Sequence, residues 1–117
     1  MLSTYAARLT KDEGLVDWTL PAIYIHNRVR GLSPWPHAYT YLDGNRVIIL
    51  RTSVGSTPTT EPAGTVVDAS NDRLHVATGH SGLIVIEDLQ PEGRRAMSAR
   101  EFLAGHPIRP GARFSNR

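Results

Sequence analysis

The sequence predicts a mainly β protein: a small antiparallel barrel of about five to six strands with two short peripheral α-helices. Three observations carry this expectation. Short strand-like segments follow one another at meander spacing between His37 and Leu89, separated by turn residues. The run Leu83-Ile84-Val85-Ile86 is apolar on both faces, as a central or helix-covered strand must be. Two further segments carry helix-start chemistry, one before the strands and one after them.

Residues 1–14 read as an extended, linker-like arm, because Tyr5, Ala6 and Leu9 are too sparse for a helical stripe. Asp17-Trp18-Thr19 then opens a helix, with Thr19 as N-cap and Trp18 reaching Ile23 as a hydrophobic staple. Ala22, Ile25, Val29 and Leu32 form one apolar stripe, and Gly31 is placed to end the helix in a left-handed conformation. Ser33-Pro34-Trp35-Pro36 cannot continue it, since each proline removes a donor and extends its predecessor.

The strands follow. His37 to Leu42 and Arg46 to Arg51 flank the hairpin signal Asp43-Gly44-Asn45. A polar loop from 53 to 63 leads to strands at Gly64–Ala69, Arg73–Thr78 and Leu83–Leu89, joined by Ser70-Asn71-Asp72 and by the tight turn Gly79-His80-Ser81-Gly82. The second helix, Ser98 to Ala104, has a capping box from Ser98 to Glu101 and a staple from Met97 to Phe102, and Gly105 and Pro107 stop it. The domain is expected over 15–105, with a basic tail from 106 to 117 that has too little apolar content to fold by itself.

A chain of 117 residues supports one core. It has no cysteine, which excludes disulfides, thiol catalysis and zinc-thiolate sites. No apolar run is long enough to span a bilayer and no signal-peptide core is visible, so a soluble, cytoplasmic protein is expected. The five histidines fall in five different elements, without metal-ligand spacing. There is no nucleophile elbow and no glycine-rich phosphate cradle before a helix. Glu87 and Asp88 are expected on opposite faces of a strand, a poor acid/base pair. Neither a catalytic apparatus nor a cofactor is expected.

Charge is the remaining signal. From Arg94 onward there are six arginines and one glutamate, net +5, against net −3 for residues 1–93; of thirteen basic residues only Lys11 is not arginine. Arginine's planar fork suits phosphate, so a polyanion partner enters consideration. Arg94 and Arg95 lie on the loop before the second helix, where they and the helix N-terminus are placed to face an anion. Arg28 and Arg30 sit late in the first helix, where its dipole alone accounts for them. Arg46 and Arg51 flank a hairpin strand and equally well serve as edge charges against aggregation.

Several ordered motifs carry a family resemblance: Tyr5-Ala6, Leu9-Thr10-Lys11-Asp12-Glu13, Val16-Asp17-Trp18, Ile25-His26-Asn27-Arg28-Val29-Arg30-Gly31, Pro34-Trp35-Pro36-His37-Ala38-Tyr39-Thr40, Pro62-Ala63-Gly64-Thr65 and Leu89-Gln90-Pro91-Glu92-Gly93-Arg94-Arg95-Ala96-Met97-Ser98. In these the chain resembles the C-terminal domain of the methionyl-tRNA formyltransferase family, over essentially its whole length. The resemblance implies an OB-like barrel that helps hold initiator tRNA through basic residues. Carried over by motif, Lys11 sits in the linker, and Arg94-Arg95 replace the usual basic pair after Gln-Pro-x-Gly.

The family's catalytic half, a Rossmann-like domain that binds formyl-tetrahydrofolate and carries an Asn, a His and an Asp, has no counterpart in these residues. The resemblance therefore implies no formyl transfer by this chain alone, and a separate formyltransferase catalytic domain as a possible partner. The usual Pro-Gly-Ala of the hinge is Pro36-His37-Ala38 here. Related formyltransferases acting on sugar nucleotides carry similar domains, so a protein-interaction or oligomerisation module is the alternative. Its candidate anchors would be Trp35 and Tyr39, which as aromatics are more commonly core residues.

Overall fold

The computed structural model describes residues 14–33, 37–70 and 72–115. The arm up to residue 13, the hinge residues Pro34, Trp35 and Pro36, and Asn71 lie outside the described residues. The elements run α1 (Ala22–Gly31), β1 (Ala38–Leu42), β2 (Asn45–Val54), β3 (Val66–Ser70), β4 (Arg73–Ala77), β5 (Leu83–Pro91), β6 (Met97–Ser98), α2 (Ala99–Gly105) and β7 (Phe114–Ser115). They make a mainly β protein, a small antiparallel OB-like barrel with two short helices. No helix among the described residues is long and apolar enough to cross a membrane.

One antiparallel sheet has the order β3-β4-β5-β2-β1-β7, with β6 paired to β5. Its two edges are joined through residues 111–115. β7 pairs with β1, while the Phe114 amide donates to the Gly64 carbonyl at 2.8 Å and the Val66 amide to the Ala112 carbonyl at 2.7 Å. Among the described residues there are seven strands, the five longer ones expected from sequence and two more. The two additions, β6 and β7, are only two residues long and show no alternation for a sequence reading to detect.

The β1–β2 hairpin follows from its turn chemistry. Asp43 and Gly44 take φ of 53° and 80° and Leu42 faces Asn45, a two-residue turn whose double positive φ matches the strand twist. At the β4–β5 connection His80 and Ser81 both take φ of 59°, so this segment too is a tight turn. β5 is central, and Ile84, Ile86 and Leu89 on it are fully buried with Leu74 and Val76 of β4. The helices pack onto the sheet, α1 against β2 and β5 and α2 against β5 and β4.

α1 begins later than its sequence suggests. Leu20 precedes Pro21, and proline pushes its predecessor out of helical geometry, so the cap falls on Pro21 without a side-chain hydrogen bond. Thr19 instead turns back on Asp17, whose carboxylate accepts from its amide at 3.0 Å and its hydroxyl at 2.6 Å. Trp18 is not a staple: it is buried and stacked on Phe114 at 5.5 Å, while Ile23 is 48% exposed. The stripe Ala22, Ile25, Val29 and Leu32 is buried as its spacing predicts. Gly31, however, is the last helical residue. The left-handed position before β1 is His37, at φ 72°.

A buried polar link locks the barrel seam. The Trp18 indole Nε1 donates to Thr40 Oγ1 at 3.0 Å, and that hydroxyl donates to the Ser115 carbonyl at 2.8 Å. Thr40→Val keeps the shape but strands both partners, at an expected cost of about 1–3 kcal/mol. Urea unfolding of the two proteins checks this, and Thr40→Ser, which keeps the oxygen, should cost less.

Candidate nucleic-acid interface

The basic residues singled out by sequence do not form one patch. Lys11 lies outside the described residues. Arg28 and Arg30 occupy the exposed last turn of α1, as its dipole favours, and Arg28 lines a groove with Leu15, Asp17 and Ala38.

Arg46, Arg94 and Arg95 are brought to one end of the barrel. The Arg46 carbonyl accepts from the Glu92 amide at 2.9 Å, tying β2 to the turn after β5. That turn is shaped by Gly93 at φ 78°, by the Arg94 amide donating to the Pro91 carbonyl at 3.0 Å, and by the Gln90 side-chain amide donating to the Arg94 carbonyl at 2.9 Å. Hydrogen bonds at both its amide and its carbonyl thus fix the backbone of Arg94 while its side chain stays exposed. Arg46 lies over the Tyr39 ring at 4.5 Å, and Tyr39 meets Tyr41 edge-on at 6.0 Å. Tyr39 is 7% exposed and belongs to the core.

Arg51 is engaged by carboxylates. Register shifts on either side of it in the β2–β5 ladder bring both Glu87 and Asp88 within reach. Arg51 Nε donates to Asp88 at 2.6 Å and its Nη1 lies 3.3 Å from Glu87, so the two acids expected on opposite faces converge on one guanidinium. The Asp88 hydrogen bond, then the charges of Asp88 and Glu87, push Arg51 further above its ordinary value. With two carboxylates on it, Arg51 offers little net charge to a phosphate.

At the N-terminus of α2, which the sequence places to face an anion, a capping box takes up two of the amides. Ser98 Oγ accepts from the Glu101 amide at 3.1 Å, and the Glu101 carboxylate accepts from the Ser98 amide at 3.1 Å, so the capping box closes on itself. The second Glu101 oxygen lies 3.5 Å from Arg95, a solvated pair worth little.

Sequence reasoning passed over two further features. Arg73 and Arg100 share a groove with Arg51, Glu87 and Asp88; only the late arginine excess signals Arg100. His106 and Phe102 stack at 4.8 Å and 12° beside Arg94, in a segment read as tail. The i, i+4 spacing of the two rings was the available clue. His26, by contrast, is a structural residue, its Nδ1 sharing a 2.8 Å hydrogen bond with the buried Thr52 hydroxyl.

The family model described as "Formyl transferase, C-terminal domain" matches residues 8–107. The methionyl-tRNA formyltransferase of Trichlorobacter lovleyi is 44% identical over 109 residues, covering 93% of this chain and 34% of that protein. That of Geobacter sulfurreducens is 44% identical over 113 residues, covering 97% and 35%. The chain thus spans about a third of the length of the curated relatives it matches. Among solved structures, HypX from Aquifex aeolicus in complex with tetrahydrofolic acid superposes with a TM-score of 0.65 at 13% identity, over 94% of this chain and 22% of that one. At that identity the likeness is one of fold. Motifs, barrel and relatives agree, and the chain belongs to the formyltransferase C-terminal domain family.

Proposed function

We propose that the chain is an accessory tRNA-binding domain of a methionyl-tRNA formyltransferase-like protein, acting in translation initiation in the cytoplasm. It holds the tRNA backbone electrostatically, and formyl transfer belongs to a catalytic domain not among these residues. The observation that carries this reading is the 44% identity to proteins named methionyl-tRNA formyltransferase over nearly the whole chain. The gathering of Arg46, Arg94 and Arg95 at one barrel end supports it. Arg94 and Arg95 are exposed cations on a loop, suited to phosphate contact without sequence readout. Lys11, by family motif, and Arg28 and Arg30, by exposure, are secondary contributors; Arg51 contributes least because Glu87 and Asp88 hold it.

The test is binding of initiator tRNA and an unrelated tRNA as a function of salt. Each lost phosphate contact lowers the slope of log affinity against log salt by about 0.9 on a duplex, so Arg94→Ala with Arg95→Ala should lower it by about 2. Affinity should fall alike for both tRNAs, and an unchanged slope would sink the role of the pair. Preference of the unaltered protein for initiator tRNA would add selection to holding.

A second reading, docking onto the catalytic domain of the same enzyme, draws on Leu20, Ile23 and Tyr24. These are 36%, 48% and 61% exposed and share one face at the start of α1. Absence of tRNA binding even at low salt would favour it.

A further inference from the structure

A cavity of about 550 Å³ lies between the β1–β2 hairpin, the turn after β5 and the end of α2, within the range of small-molecule sites. Leu42, Val47 and Phe102 give it an apolar side. Asp43, Glu92 and Arg94 give it a polar one. Phe102 is 2% exposed, and the half-buried His106 ring lies nearly parallel to it, extending a fixed aromatic stack into the lining.

His106 asks for an explanation of its own. Its Nδ1 is buried without a hydrogen-bond partner, which costs stability that an apolar residue of similar size would not lose. The ring at this position is therefore better explained by its flat face than by a hydrogen bond at Nδ1. Flat aromatic faces beside a cation are what single-stranded nucleic-acid sites use, stacking a base while the basic group takes the phosphate.

The polar side narrows the ligand. Two carboxylates disfavour phosphate alone, whereas Arg94 favours a ligand that carries an anion. A ligand satisfying both is flat, has hydrogen-bond donors on one edge and a phosphate at the other end. That describes a nucleotide.

We propose that this cavity is a nucleobase pocket, in which one unpaired base stacks on the His106–Phe102 pair, its edge donors face Asp43 and Glu92, and its adjoining phosphate lies on Arg94. The inference rests on the RNA-binding reading above and deepens it from backbone holding to capture of a single base. Guanine, with two adjacent donor groups on its Watson–Crick edge, fits the carboxylates best, and uracil fits worst.

The base can come from a free nucleotide or from RNA, and two measurements on the full chain separate these sources. In the first, amide NMR follows titration with guanosine monophosphate, uridine monophosphate and inorganic phosphate. Guanosine monophosphate should shift residues 42–47, 92–94 and 102–108, uridine monophosphate should bind more weakly, and phosphate should leave the 102–108 segment unmoved. His106→Ala should weaken guanosine monophosphate about tenfold, and His106→Tyr, which keeps a stacking ring, should restore most of it. The same spectra report whether each variant is folded.

In the second, affinities are compared for a short single-stranded RNA and its duplex. The single strand should lose about tenfold in His106→Ala while the duplex loses nothing. Shifts from guanosine monophosphate that merely match those from phosphate would overturn the pocket. So would single-strand and duplex binding that are equal and indifferent to His106, although backbone holding would then stand. Guanosine monophosphate binding with no binding of either RNA would support the pocket for free nucleotides and overturn the RNA reading alone.

Discussion

Truncating Phe114 to alanine should cost about 3–5 kcal/mol, the range for a buried aromatic lost from a core that cannot collapse onto the gap. Phe114 is 2% exposed, stacks on Trp18 at 5.5 Å with 29° between the rings, and sits on the strand that joins both sheet edges. Native domains have about 5–15 kcal/mol in total, so this single change removes a large share. With a urea slope of about 2 kcal/mol per molar, the midpoint should fall by about 2 M, read by tryptophan fluorescence. A fall of less than about 0.5 M, or about 1 kcal/mol at that slope, would mean that the barrel holds without its last strand.

Gly79→Ala should be the other severe substitution. The Gly79 amide is shared between the Trp18 carbonyl at 2.9 Å and the Leu20 carbonyl at 3.0 Å, which holds the two segments backbone to backbone. A Cβ at Gly79 runs into the Thr19 carbonyl oxygen, and neither strand of main chain is free to swing aside. Overpacking of this kind costs about 1–3 kcal/mol, and rigid backbone on both sides puts it at the upper end. Gly105→Ala makes the contrast. Nothing lies within 4 Å of the added carbon there, and the residue ends α2. It should be neutral or stabilising by up to about 1 kcal/mol. Thermal unfolding of the pair checks both signs, and a tolerated Gly79→Ala would refute the close backbone approach.

What the sequence showed and what it hid divide along chain distance. The Asp43-Gly44 turn, the alternating β4 and the Ser98–Glu101 capping box depend on neighbours a few residues away, and all were legible. Local sequence makes Trp18 a staple to Ile23, because nothing near it announces Phe114. The start of α1 is hidden because Thr19 has the chemistry of a cap, while Pro21, two residues on, takes that position. Strict period two puts Glu87 and Asp88 on opposite faces, and the irregular register around Arg51 breaks that period.

The candidate interface follows the same division. Arg94 and Arg95 stood out by loop position and charge. The neutralisation of Arg51 did not, since its nearest carboxylate lies 37 residues along the chain. The apolar content of the tail gives no sign of His106, whose ring is held by Phe102 one helical turn earlier.

The seam at residues 111–115 also has a bearing on biosynthesis. A ribosome delivers the chain from its N-terminus, so Trp18, Thr40 and the five long strands emerge before the residues that zip the two edges together. Until Phe114 clears the exit tunnel, β1 and the segment leading into β3 present unpaired backbone. Open strand edges recruit other chains, so that interval is when the nascent protein is most exposed to aggregation and in greatest need of a chaperone.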